Sequence, residues 1–195
     1  MTARLVLHAM SPGEAERVIA GEPGSTDRWA AGYPAEGDVA GAARFLDVCA
    51  RTGKPQPFGA YEIRRRDDGR AIGGLGFHGP ADHSGSVTIG YGLIPAAQGK
   101  GYASEALRAL LTSVRTHGIT RVRGDTDRGN VASQRVMTAV GMRSVAEDAN
   151  LKYYEIACTD GAVQPTTPFL GTVRDETYSA TPGRLPHADD RGRRM

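Results

Sequence analysis

Gln98-Gly99-Lys100-Gly101-Tyr102-Ala103 joins a strand-like run to a long amphipathic pattern, and its reading decides the fold. Ser86 to Ile94 reads as a strand that Pro95 ends. Beyond the segment, Ala103, Ala106, Leu107, Leu110, Leu111 and Val114 fall at helical spacing and make one broad apolar face. Gly118 suits the end of that helix. The first amides of a helix have no intrahelical acceptor, and the dipole makes that end partly positive. Glycines at 99 and 101 let phosphate oxygens approach those amides, Lys100 adds a flexible charge and Gln98 adds donors. The segment reads as a pyrophosphate site.

Two other phosphate-binding patterns fail on context. A Walker loop needs Ser or Thr after its lysine, where this chain has Gly101, and an earlier glycine where it has Ile94. Gly74-Leu75-Gly76-Phe77-His78-Gly79 matches the dinucleotide pattern in letters, yet it lies within a strand and Pro80 follows it. Its glycines mark a place where another backbone or a ligand comes close.

Outward from the centre, Arg4 to Met10 is a first strand. Ser11-Pro12-Gly13-Glu14 opens a helix that stops near Gly21. Residues 21–37 form a loop, and Asp38 is expected to cap a second helix carrying Ala42, Phe45, Leu46 and Cys49. Phe58 to Arg66 and Ala71 to His78 are strands joined by the turn Asp67-Asp68-Gly69-Arg70. After the long helix come a strand at Arg121 to Asp127, a helix from Asn130 to Val140, and strands at Met142 to Ala146 and Leu151 to Ala157. The order β-α-α-β-β-β-α-β-α-β-β predicts an α/β fold, a central mixed, largely antiparallel sheet flanked by helices. One domain is expected over 1–158, and 159–195 reads as an extended or partly disordered tail.

The 195 residues carry a net charge of only +2, and Arg64-Arg65-Arg66 and the basic tail lack a nucleic-acid motif. A specific nucleic-acid partner is therefore not expected. No apolar run is long enough to cross a bilayer, and the N-terminus enters a strand without a leader pattern, so no membrane partner and a cytoplasmic setting are expected. Cys49 and Cys158 suit reduced thiols. His78 and His83 have no third ligand at metal spacing, so no metal is expected.

The central segment resembles the Q/R-x-x-G-x-G/A signature of the GNAT superfamily of N-acetyltransferases. Ile89-Gly90-Tyr91-Gly92-Leu93-Ile94-Pro95 before it is similar to that family too. So are Asn130-Val131-Ala132-Ser133-Gln134 and Val140-Gly141-Met142 after it. These runs resemble the branch of ribosomal-protein N-terminal acetyltransferases, over residues 4 to about 157. The resemblance implies acetyl-CoA as co-substrate. The resemblance implies that Gln98, Gly99, Lys100, Gly101, Tyr102 and Ala103 would hold it, with Asn130 on the pantetheine and a free amide at Leu93 or Ile94 on the thioester carbonyl. It also implies a gap between Ile89–Ile94 and Arg121–Asp127 for the pantetheine.

Ser133 is the candidate to protonate the leaving sulfur, with an ordinary helix-start serine as the alternative. Asp125 is a candidate base acting through water, or else a turn residue. Trp29, Tyr33 and Glu36 lie in the loop that covers the acceptor in relatives, and an aromatic wall with an acid suits a cationic amine. Thr88 stands where some GNAT enzymes carry a catalytic glutamate. The expected acceptor is a primary amine, a peptide N-terminus first and a small molecule next. A non-catalytic acetyl-CoA sensor remains the other class, and a homodimer is compatible with either.

Overall fold

The computed structural model describes residues 2–53, 55 and 57–158, and the tail expected over 159–195 lies outside them. Local signals at the start of the chain act as read. After β1 (Leu5–Ala9), α1 (Pro12–Ala20) opens with Ser11 accepting from the Glu14 amide while Glu14 Oε2 accepts from the Ser11 amide at 2.7 Å. It ends on Gly21 at φ 70°.

The second helix differs from expectation. α2 is Glu36–Thr52, and Asp38 lies inside its first turn rather than at the cap. From there Asp38 Oδ2 reaches back and accepts from the Ala35 amide at 2.8 Å, which satisfies the same orphan donor from the other direction.

Seven strands form one sheet in the order β1-β2-β3-β4-β5-β7-β6. β2 (Ala60–Arg65) and β3 (Ala71–Phe77) make the expected hairpin, with Gly69 at φ 69° in its turn. β4 (Ser86–Leu93) lies antiparallel on β3. A short 3-10 turn, Pro95–Ala97, then leads to α3 (Tyr102–Arg115), so the helix starts three residues later than Gly99. Ala106, Leu107, Leu110, Leu111 and Val114 of α3 are buried, as their spacing requires. β5 (Arg121–Asp127), α4 (Val131–Ala139), β6 (Arg143–Glu147) and β7 (Leu151–Ala157) complete the fold. β5 runs parallel to β4 and antiparallel to β7, which in turn pairs antiparallel with β6.

The close approach expected at the glycines of β3 is present. A Cβ on Gly73 would stand 2.1 Å from the Gly92 carbonyl oxygen, whereas one on Gly92 would meet open space. Gly74 and Gly76 pair across β3–β4 with Gly92 and Gly90, and Gly74 lies against Asp38 of α2. On the sheet face toward α2 neighbours therefore close on Gly74, Gly76 and Gly90, and Gly92 alone of these four stays open. Gly73→Ala is expected to destabilise the protein by about 3 kcal/mol in denaturant unfolding, and Gly92→Ala by less than about 0.5 kcal/mol.

Candidate active site

β4 and β5 pair only from Ser86–Arg121 to Thr88–Arg123 and then separate. The ladder on the other side of β4 continues, with the His78 amide donating to the Thr88 oxygen at 2.9 Å and the Ile94 amide to the Ile72 oxygen at 3.0 Å. Even-numbered residues of β4 thus bond to β3, and the backbone groups of Tyr91 and Leu93 point into the gap. The expectation of a free amide at Leu93 or Ile94 resolves to Leu93, because Ile94 is committed to β3. The gap opens into a cleft of about 530 Å³.

At the C-terminal end of β4 the central segment curls back on itself. Gln98 Nε2 donates to the Leu93 oxygen at 3.0 Å, and Lys100 Nζ to the Ala96 oxygen at 2.9 Å. Gln98 therefore braces the turn. Gly99 and Gly101 adopt φ 72° and 78°, and a Cβ on Gly99 would stand in open space. The backbone is uncovered at the mouth of α3, as an anion site needs.

Sequence reasoning misses Arg4. Its guanidinium lies 4.7 Å from the centre of the Tyr102 ring, donates to the Lys100 oxygen at 3.0 Å and pairs with Glu105 at 2.7 Å. Nothing local signals a contact between residues so far apart in the chain.

On the α4 side of the gap, Tyr91 and Ser133 share a hydrogen bond of 2.9 Å between their hydroxyls. The Tyr91 hydroxyl also donates to the Ser133 backbone oxygen at 3.1 Å. Burial raises the Tyr91 phenol above its ordinary value, and the bond to Ser133 opposes the rise. Asn130 Oδ1 accepts from the Ser133 amide at 3.0 Å, so the residue is a helix cap, and its side chain also lines the cleft. Ser133 lines it too. Sequence reasoning misses Tyr91 as its partner.

The α2 side holds Tyr33, Asp38, His78 and Asp125. Tyr33 is buried, its hydroxyl donating to Glu62 at 3.3 Å and its ring packing edge-on against Trp29 at 5.5 Å. Trp29 bridges to Ala71 and Glu36 lies in the first turn of α2; neither lines the cleft. The acid facing it from that turn is Asp38.

Glu62 is buried and paired with Arg64 at 2.6 Å. Asp38 is also buried, but among the described residues it pairs with no cation and its Oδ1 finds no hydrogen-bond partner. The Gly74 backbone lies beside it, and its amide works against the rise in the carboxyl's pKa. Desolvation above all pushes its pKa up to about 6, with the Glu62 charge adding to the rise and the Ala35 amide opposing it.

A carboxyl with a folded pKa above its unfolded value of about 3.9 binds more protons in the native state between the two values. Its contribution therefore falls as pH rises from about 4 to about 6. Asp38→Asn keeps the acceptor for Ala35. It is expected to raise stability at pH 7 by on the order of 2 kcal/mol, and to leave it nearly unchanged below about pH 4, in chemical denaturation across pH.

Among the described residues, no group of three or more His, Cys, Asp or Glu is placed to hold a metal ion. Nor is any described helix long and apolar enough to cross a membrane. The model of the acetyltransferase (GNAT) domain matches residues 4–143. The uncharacterized N-acetyltransferase YjdG of Bacillus subtilis (strain 168) is 23% identical over 111 residues, 56% of this chain and 66% of that one. A GNAT-family acetyltransferase structure from Bordetella pertussis is 28% identical with a TM-score of 0.55, covering 80% of this chain and 96% of that one. The ribosomal-protein-S5-alanine acetyltransferase of Vibrio fischeri shares the fold at 13% identity and a TM-score of 0.59, over 80% and 94% of the two chains. With the glycine turn, the parted strands and the family match over most of the described residues, the chain belongs to the GNAT family of acetyl-CoA-dependent N-acetyltransferases.

Proposed function

We propose that the chain moves the acetyl group of acetyl-CoA to a primary amine, with a peptide N-terminal α-amino group as the first acceptor. The observation that carries this reading is the gap between β4 and β5, which has a hydroxyl pair on one side and a half-buried imidazole and carboxylates on the other. Acetyl-CoA supplies an activated acyl group. The protein's part is to place it and to handle protons.

The amides at Gly99 and Gly101 and the start of α3 receive the pyrophosphate, with Arg4 and Lys100 close by. Tyr102 and Ala103 begin the helix whose dipole favours it. The Leu93 amide polarises the carbonyl oxygen as negative charge develops there. Asn130 holds the pantetheine from the α4 side. Ser133, hydrogen-bonded to Tyr91, donates a proton to the departing sulfur.

An α-amino group, with a pKa of about 7.7–8.0, is in part neutral at pH 7, whereas a lysine near 10.4 is almost wholly charged. That difference favours a peptide terminus as the acceptor. The alanine named in the Vibrio fischeri neighbour is in keeping with it. A small-molecule amine is the second acceptor class. The setting proposed is cytoplasmic, in keeping with Cys158 as a buried thiol outside any disulfide.

The test is thiol release from acetyl-CoA over peptides beginning with alanine, serine or methionine and a panel of small amines. Tight acetyl-CoA binding with no acceptor-dependent release would make the chain a sensor instead. Gly101→Asp is expected to weaken CoA binding more than tenfold in calorimetry, since it sets a carboxylate against the phosphates. Ser133→Ala should leave CoA affinity nearly intact and lower kcat on the order of 10²-fold. Tyr91→Phe should lower kcat less, because Ser133 keeps its own hydroxyl.

A further inference from the structure

His78 follows β3, and its backbone sits opposite Thr88 through the amide bond to the Thr88 oxygen at 2.9 Å. Its ring leans along the sheet over β4, and Nε2 stands 3.0 Å from where a Cβ on Gly90 would lie. A Cβ at position 90 would press on the ring, which would have to shift by a few tenths of an ångström. The ring is half-buried, lines the cleft from the α2 side, and lies one residue along β4 from the parted backbone of Tyr91.

We propose that His78 Nε2 accepts the proton that the acceptor amine loses as it is acetylated. The inference rests on the acetyl-transfer reading, and it moves the role of base from Asp125 to the imidazole. Asp125 is exposed and faces the same cleft from β5, where its charge favours the imidazolium that forms. It is a positioning residue. The floor of the cleft is open at Gly92, where a Cβ would meet nothing, and a slender amine reaches the imidazole from there.

A neutral amine enters from the α2 side, and its nitrogen lone pair bonds to the acetyl carbon. One N–H proton passes to Nε2, the C–S bond breaks, and the sulfur takes a proton from the Ser133–Tyr91 hydroxyl pair. The imidazolium then releases its proton to solvent, and the hydroxyl pair regains one. The base and the acid stand on opposite sides of the gap, so neither short-circuits the other.

Such a base must be neutral at working pH. Burial chiefly, and then the Arg44 guanidinium of α2, hold the His78 pKa below its ordinary value, while Asp125 pulls the other way. Asp38 on α2 and Asp127 at the end of β5 also line the cleft. Activity is therefore lost as pH falls through the imidazole's pKa.

The experiment measures kcat across about pH 5 to 9 with acetyl-CoA and an alanine-initiated peptide, or the best amine of the panel. His78→Gln should lower kcat on the order of 10²-fold or more, abolish the acid limb and leave the acetyl-CoA dissociation constant unchanged. Added imidazole should restore part of the rate to His78→Ala. Asp125→Asn should move the acid limb to lower pH. Full kcat with an unaltered profile in His78→Gln overturns the proposal, and so does a loss confined to acetyl-CoA affinity.

A wild-type protein inactive on every amine removes the acetyl-transfer reading instead. NMR titration of the His78 ring then decides its placement. A pKa that ignores both Asp125→Asn and bound acetyl-CoA overturns the assignment of His78 as the base.

Discussion

β4 and β5 share parallel pairing over three residue pairs only, and each strand then follows its other neighbour. β4 remains on β3 as far as Leu93, one residue beyond which the Ile94 amide bonds to Ile72. β5 stays on β7 along its whole length, from Arg121–Ala157 to Asp127–Leu151. Val87 and Val122 are buried where the strands still pair, and Ile89 is buried one residue beyond. The consequence is a pair of strands whose facing backbone groups have no partner in the sheet. Unpaired backbone in a protein interior is costly. An extended ligand with amides of its own would remove that cost, which is what the proposed reading asks of the gap.

The side chains divide around that gap by strand parity. Gly124 of β5 faces Met137 of α4, so Asp125, its neighbour, faces the α2 side. Tyr91 reaches Ser133 on α4, while Gly90, its neighbour, lies under His78. A one-residue slip of either strand would exchange the hydroxyl and carboxylate sides. Register thus carries the chemistry. The α2 side also contains two buried acids in different states, since Arg64 neutralises Glu62 whereas desolvation dominates at Asp38, opposed only by backbone amides.

What is legible in the sequence is local or periodic. The apolar face of α3, the capping box of Ser11 and Glu14, the β2–β3 hairpin and the glycine turn before α3 each announce themselves within a short stretch of chain. Asn130 is legible as a cap for the same reason. Contacts across the chain are not. Tyr91 and Ser133 meet although they are 42 positions apart, and Arg4 and Glu105 although they are 101 apart. An aspartate before an apolar pattern fits either end of a capping box, and only the observed bond from Ala35 to Asp38 separates the two. Leu93 and Ile94 are likewise equivalent in sequence, and only the ladder parity tells them apart.

The weak net charge of the chain poses a question for a site that must hold a pyrophosphate. The answer lies in how few charges are needed when the backbone is exposed. The mouth of α3 is bordered by Gly99 and Gly101, both in the left-handed region, and a Cβ on Gly99 would meet open space. Arg4 is held beside it by three separate contacts, the Lys100 oxygen, the Tyr102 ring and Glu105. Glu105 takes up part of that positive charge, yet it also stops the guanidinium from wandering. A fixed cation with ordered amides loses less side-chain entropy on meeting a phosphate than several free lysines would. The first strand of the chain thereby takes part in a site formed by its middle. β1 is then more than an edge of the sheet, because moving it would move Arg4 away from α3, where the pyrophosphate is proposed to sit, without altering the glycine turn.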